Sequence, residues 1–148
     1  MPELYHLAYI SRNRMPEDDA ALRENIEQIL TTARSRNADL GITGALLFSG
    51  GYFCQVIEGT LQALEELFES IQMDPRHGDV TVLHYEPIDS RGFYDWSMAL
   101  AGIEDKQRWD MEGIRASKDE LAMHDAGRAM VEVLADLVSR QEQMRSSP

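Results

Sequence analysis

The 148-residue sequence predicts an α+β sandwich: a five-stranded sheet with two helices on one face and C-terminal helices on the other. Three observations carry that prediction. Apolar runs of strand length and amphipathic stretches of helix length alternate in the order β-α-β-β-α-β-β. Two helices that interrupt the strands in this way return to one side of a shared sheet, as in a ferredoxin-like βαββαββ sandwich. A further amphipathic stretch after Ile103 supplies cover for the side left bare.

Each element has a local cause. Leu4 to Ser11 is rich in apolar and aromatic residues and reads as the first strand, with Arg12 to Met15 as a connection. Pro16, Glu17, Asp18 and Asp19 mark a helix start: proline is tolerated in the first turn, and acids suit the positive end of the dipole. Leu22, Ile26, Ile29, Leu30 and Ala33 recur at helical spacing, and this helix is expected to end near Arg36 and Asn37. Gly41 to Ser49 and Tyr52 to Glu58 read as two strands joined by the Gly50-Gly51 hairpin turn. Thr60 is placed to cap a second helix whose core face is Leu61, Leu64, Leu67, Phe68 and Ile71, and Asp74-Pro75 ends it. Val80 to Tyr85 reads as a fourth strand stopped by Glu86-Pro87, and Phe93 to Leu100 as a short fifth.

Beyond Ile103 a short helix is expected around Lys106 to Arg115, with Trp109. Ser117-Lys118-Asp119-Glu120 then reads as a capping box before a long helix striped with Leu121, Met130, Val133, Leu134, Leu137 and Val138. Gln141 to Pro148 is polar and expected to fray. The chain thus divides into a sheet-and-helix unit over 1–102 and a C-terminal helical extension over 103–148.

Bulk properties exclude several function classes. The net charge of −12 argues against binding nucleic acid or an anionic membrane surface, both of which need clustered Lys and Arg. No apolar run approaches the length of a membrane span and no signal peptide is recognisable, so a cytoplasmic location is expected. The single cysteine, Cys54, permits no internal disulfide and reads as a small buried hydrophobe. His6, His77, His84 and His124 show no paired metal-ligand spacing, and no metal site is expected. Phosphate-loop, dinucleotide and nucleophile-elbow patterns do not occur.

Strand alternation turns Phe53, Gln55 and Ile57 to one face, Cys54 and Val56 to the other, and groups Tyr5, Leu7 and Tyr9. If both odd-numbered sets face the two helices, Tyr9 and Gln55 can meet on adjacent strands, with Asn37 bordering the same slot. A phenol and two amides in an apolar cleft suit a flat heteroaromatic ring. On spacing alone, Tyr9 also reads as a core residue and Asn37 as a left-handed helix cap. Trp96 and Met98 likewise read as core, and Arg76-His77 as a solvated loop. Gln55 is harder to place structurally, because an amide between Phe53 and Ile57 costs stability unless it is paired.

Taken together, Tyr9 in LAYIS, Asn37 in RNADLGITG, Gln55 in FCQVIEG, the run from Asp74 to His77, Glu86-Pro87, and DWSM from Asp95 to Met98 resemble the BLUF family of blue-light receptors. The resemblance covers roughly Leu4 to Gly102, making 1–102 the photosensory domain. It implies a flavin (FAD, with FMN or riboflavin as alternatives) held non-covalently between the two helices. It further implies Tyr9 as electron and proton donor, Gln55 as a hydrogen-bond switch, and Asn37 at the pyrimidine edge. Trp96 and Met98 match fifth-strand residues that report the light state, and Arg34 and Asp74 match weaker flavin contacts. Two positions depart from the pattern. Ala33 stands where many relatives carry serine, and Ser70 where a basic residue is frequent.

This reading is of a photoreceptor, not an enzyme, of a short stand-alone type that signals to a separate protein and is expected to self-associate. Two other classes compete. An acylphosphatase-like hydrolase would need an anion-binding loop where Pro16 to Asp19 is acidic. A flavin-free regulatory module on the same fold draws support only from Ala33 and Ser70.

Overall fold

The computed structural model describes residues 3–14, 19–74, 77–93, 96–104 and 106–146. The elements run β1 (Leu4–Asn13), α1 (Asp19–Leu40), β2 (Thr43–Ser49), β3 (Tyr52–Thr60), α2 (Leu61–Met73), β4 (His77–Ile88), β5 (Ala99–Glu104), α3 (Met111–Ala116) and α4 (Glu120–Ser146). They form the expected α+β sandwich, with the sheet ordered β4-β1-β3-β2-β5. Only the β2–β5 pairing is parallel.

Strand alternation divides the core into two layers. Tyr9, Leu7, Phe53 and Ile57 pack with Ile26, Ile29 and Leu30 of α1 and Leu64, Leu67 and Ile71 of α2. Ala8, Ile10, Cys54 and Val56 face the other way, against Met130, Leu134 and Val138 of α4 and Met111 of α3. Burial pushes the Cys54 thiol up to about 12, which makes it an inert core residue.

The hairpin between β2 and β3 turns at Gly50 and Gly51, both with positive φ (52° and 88°), a backbone that β-branched or bulky residues resist. At Gly44 a side chain would put Cβ 2.2 Å from the Val56 carbonyl oxygen, so β2 and β3 approach closely because this position is glycine. Thr60 caps α2 as expected, its Oγ1 accepting from the Ala63 N–H.

Several boundaries differ from the sequence reading, each for a physical reason. Arg12 and Asn13, expected in a connection, extend β1, and α1 continues to Leu40. There Gly41, at φ 69°, takes the left-handed position expected of Asn37. The Ile42 N–H reaches the Asn37 carbonyl at 2.8 Å and the Gly41 N–H the Ala38 carbonyl, a Schellman closure that leaves Asn37 inside the helix. The fourth strand spans His77–Ile88 and passes through Pro87; β4 is an edge strand, where a missing N–H is tolerated. His77, read as loop, is therefore strand, while Pro75 and Arg76 lie outside the described residues, as do Pro16, Glu17, Asp18 and Asp95.

The fifth strand begins only at Ala99 and runs to Glu104, so a boundary at 102 falls inside it. The segment before it is held by side chains instead of a ladder. Buried Glu58 accepts from the Gly92 N–H at 2.7 Å and the Phe93 N–H at 2.9 Å. Helix α4 is capped by Asp119, whose Oδ1 accepts from the Leu121 and Ala122 N–H groups, and not by Ser117. Ser117 already closes the C-terminus of α3. Leu121 is 69% exposed, and Leu61 is exposed while Ala63 is buried in α2. The tail from Gln141 does not fray at its start: α4 continues, and the Gln141 amide donates to the Ala101 carbonyl of β5. No helix among the described residues is long and apolar enough to cross a membrane.

Candidate functional site

The β1–β3 register pairs Tyr9 directly with Gln55. Both side chains project to the α1/α2 face, and the Tyr9 hydroxyl donates to Gln55 Oε1 at 2.5 Å. Tyr9 has no exposed surface and Gln55 is 5% exposed, so this is a buried, well-shielded hydrogen bond. Burial pushes the Tyr9 hydroxyl well above its ordinary range, and the phenol keeps its proton at neutral pH. The ring is fixed edge-to-face by Phe68 of α2, with centroids 5.8 Å apart.

Beside this pair a narrow cleft opens between α1 and α2. Ile29, Ala33, Asn37, Gln55, Leu67 and Met98 are among its lining residues, with Thr32, Arg36 and Asp74. Its volume is about 40 Å³, a narrow slot beside the sheet.

Asn37 is fully buried, and its Nδ2 donates to the Ser97 carbonyl at 2.7 Å. Among the described residues its Oδ1 is buried without a hydrogen-bond partner, leaving an acceptor open to an N–H donor. With Gln55 Oε1 taken by Tyr9, the Gln55 amide nitrogen is the donor left for the cleft. A flat ring whose edge offers N–H groups and carbonyl oxygens fits that donor set and the apolar walls.

The sequence-predicted residues separate into two groups. Tyr9, Asn37, Gln55, Asp74 and Met98 converge on the cleft or its lining pair. Arg34 and Trp96 do not. Arg34 donates from Nε to the Met98 carbonyl at 3.0 Å, and with Trp96, Leu100 and Gln141 it borders a separate depression near α4. Met98 is buried in the helix-side core, whereas Trp96 packs with the α4-side core. Among the described residues the cation lining the cleft is Arg36 and not Arg34. Helical spacing could have found it: Ile29, Ala33, Arg36 and Asn37 fall within one arc of about 100°, and Arg34 falls outside it. Ala33 lines the cleft at the position where a serine is frequent, while Ser70 lies away from it.

The family model described as "Sensors of blue-light using FAD" matches residues 4–99. The chain belongs to the BLUF family. The β subunit of the photoactivated adenylate cyclase of Euglena longa is 40% identical over 99 residues, which is 66% of this chain and 11% of the cyclase subunit. The matched segment thus spans about a tenth of the length of these curated relatives. Among solved structures, the dark state of BlrB, a BLUF protein, is 36% identical with a TM-score of 0.69, over 95% of this chain and 98% of that one. BlrP1 of Klebsiella pneumoniae with FMN and cyclic diGMP is 41% identical with a TM-score of 0.57, over 66% of this chain and 25% of that one. The photo-activated state of BlsA is 27% identical with a TM-score of 0.66, over 91% and 94%. The chain is a flavin-binding BLUF blue-light sensor.

Proposed function

We propose that the α1/α2 cleft holds FAD and that Tyr9 and Gln55 form the light-driven switch. The observation that carries this reading is the buried 2.5 Å hydrogen bond from Tyr9 to Gln55, set beside the unpartnered Asn37 Oδ1. Asn37 and Gln55 hold the pyrimidine edge, the apolar residues of α1 and α2 exclude water, and Arg36 at the cleft offers a cation for the phosphates. Asp74 contributes an acceptor where α2 ends. Bound flavin supplies blue-light absorption and an electron acceptor.

The protein's part is proton and hydrogen-bond management. Tyr9 is the electron and proton donor, and its proton has one short path, from the hydroxyl to Gln55 Oε1. Return of that proton with Gln55 in a changed rotamer or tautomer exchanges donor for acceptor on the cleft side, a local two-state change. The exchange is read by Met98, the cleft-lining residue that precedes β5, and by Ser97, whose carbonyl Asn37 holds. Arg34 and Trp96 serve this output side and not the flavin contact. The signal then passes to a partner protein or effector through β5 and α4; self-association and a cytoplasmic setting belong to the same reading.

Absorption spectra of the purified protein in the dark and after blue light test it, together with chromatography of the released flavin. A yellow protein with a reversible small red shift and released FAD is the expected result. A bound flavin with no shift would overturn the switch, and release of only FMN or riboflavin would overturn the choice of FAD.

A further inference from the structure

The opposite side of the sheet carries a polar cluster that the light-sensing reading does not use. His6 of β1 stands directly across from Glu86 of β4, and His84 lies two residues from Glu86 on the same face. All three face α4, and both histidines are buried. His6 Nε2 is 2.7 Å from His84 Nε2 and 3.2 Å from Glu86 Oε1, and His84 Nε2 is 3.5 Å from that oxygen. Helix α4 closes over them at Gly127, where an added Cβ would lie 2.5 Å from His84 Nδ1. Two groups on α4 approach the second carboxylate oxygen: His124 Nε2 at 3.6 Å and Arg128 at 3.7 Å.

We infer that His6, His84 and Glu86 form a binding site for a divalent transition-metal ion of the zinc type, seated between the β1–β4 edge and α4.

Three atoms able to present lone pairs converge here, one a carboxylate oxygen and two imidazole nitrogens, which is a ligand set suited to zinc. The circle through them has a radius of about 1.8 Å, worked from the three separations above. An ion at the usual ~2.0–2.1 Å from each therefore sits about 0.9 Å off their plane, with a fourth position left open. His124, whose ring is 4.9 Å from that of His84, is a side chain that could supply it, and a water is the alternative. Sequence spacing could not reveal the site, because His6 and His84 are 78 positions apart and meet only through the β1–β4 register.

One feature bounds the affinity. A metal-bound histidine normally donates its other ring N–H to an acceptor, and His84 Nδ1 has no hydrogen-bond partner among the described residues. Losing that support weakens a site by about 10–100-fold, so binding is expected to be well short of that of a closed structural zinc site.

The test uses untagged, flavin-loaded protein stripped with a chelator and titrated with Zn²⁺ by calorimetry, with bound metal counted after desalting. Uptake of one Zn²⁺ per chain, lost in both His6→Gln and Glu86→Gln, is the expected result. Far-ultraviolet circular dichroism and the flavin spectrum confirm that both variants are folded. Should a variant unfold, ¹⁵N resonances of the wild-type imidazoles decide: Zn²⁺ should shift Nε2 of His6 and of His84 together. No stoichiometric uptake by the wild type, uptake unchanged in both folded variants, or unshifted Nε2 resonances would overturn the inference.

Discussion

Replacing Tyr9 with phenylalanine removes one oxygen and leaves the ring packed against Phe68. The lost hydroxyl is the sole hydrogen-bond donor to Gln55 Oε1 among the described residues, and Gln55 is buried. An acceptor stranded in this way costs about 1–3 kcal/mol, more than the net worth of the hydrogen bond itself. At about 2–4 °C of melting temperature per kcal/mol for a chain of this size, Tyr9→Phe should melt a few to roughly ten degrees lower. Gln55→Leu removes the other partner, and the double variant should cost less than the sum of the two, with a coupling of about 1–2 kcal/mol. Thermal denaturation of the four flavin-loaded proteins gives that cycle, and difference spectra on the same samples report photochemistry. Both single variants should keep their flavin and lose the red shift. Additive stability costs would refute the structural coupling. A normal shift in Tyr9→Phe would remove Tyr9 from the mechanism, and a full dark-to-light difference in Gln55→Leu would remove the switch.

Asn37→Ala deletes both the unpartnered acceptor and the anchor to Ser97, so flavin affinity should fall by about 5–150-fold, equivalent to about 1–3 kcal/mol, as read by ultrafiltration of released flavin. Met98→Ala should alter the flavin band position, whereas Trp96→Ala should leave the dark spectrum unchanged, because only Met98 lines the cleft; equal effects would refute that placement. Cys54, with its thiol pushed up to about 12, should resist thiol reagents at pH 8 in the native state and react fully when unfolded. The same shift sets a sign: above pH 9 the unfolded thiol loses its proton while the native one keeps it. Cys54's contribution to stability is thus full below pH 9 and falls by about 1.4 kcal/mol per unit from there to about pH 12, observable in Cys54→Ala as a flatter alkaline limb. Gly44→Ala drives a side chain into the Val56 backbone and should cost several kcal/mol or prevent folding, measured by denaturant titration.

The sandwich, the two buried faces of the sheet and the Tyr9–Gln55 meeting were all readable from the chain, because alternation in strands and 3.6-fold spacing in helices are local signals. What escaped depended on partners distant in sequence. Asn37 reads as a cap in the sequence, yet Gly41, four residues on, is the left-handed residue that ends α1. The segment before β5 looked like strand because Phe93, Trp96 and Met98 are apolar, yet its backbone is taken by Glu58, Asn37 and Arg34. Ser117 satisfied a capping pattern but was already engaged by α3. Arg34 and Arg36 are chemically equivalent, and their angular positions on α1 decide which one meets the cleft.

β5 sits at the margin of the sheet with β2 as its single neighbour, and the pairing slips between Leu46 and Leu47. A strand bordered on both sides cannot slide without breaking two rows of hydrogen bonds; this one has a single row to trade, already out of step at its centre. Its near end is tethered to the cleft through Ser97 and Met98, and its Ala101 carbonyl is tied to Gln141 of α4. The sheet can therefore stay whole while its margin moves. A rearrangement confined to one amide would need to shift only these six residues of backbone to reach the far helix.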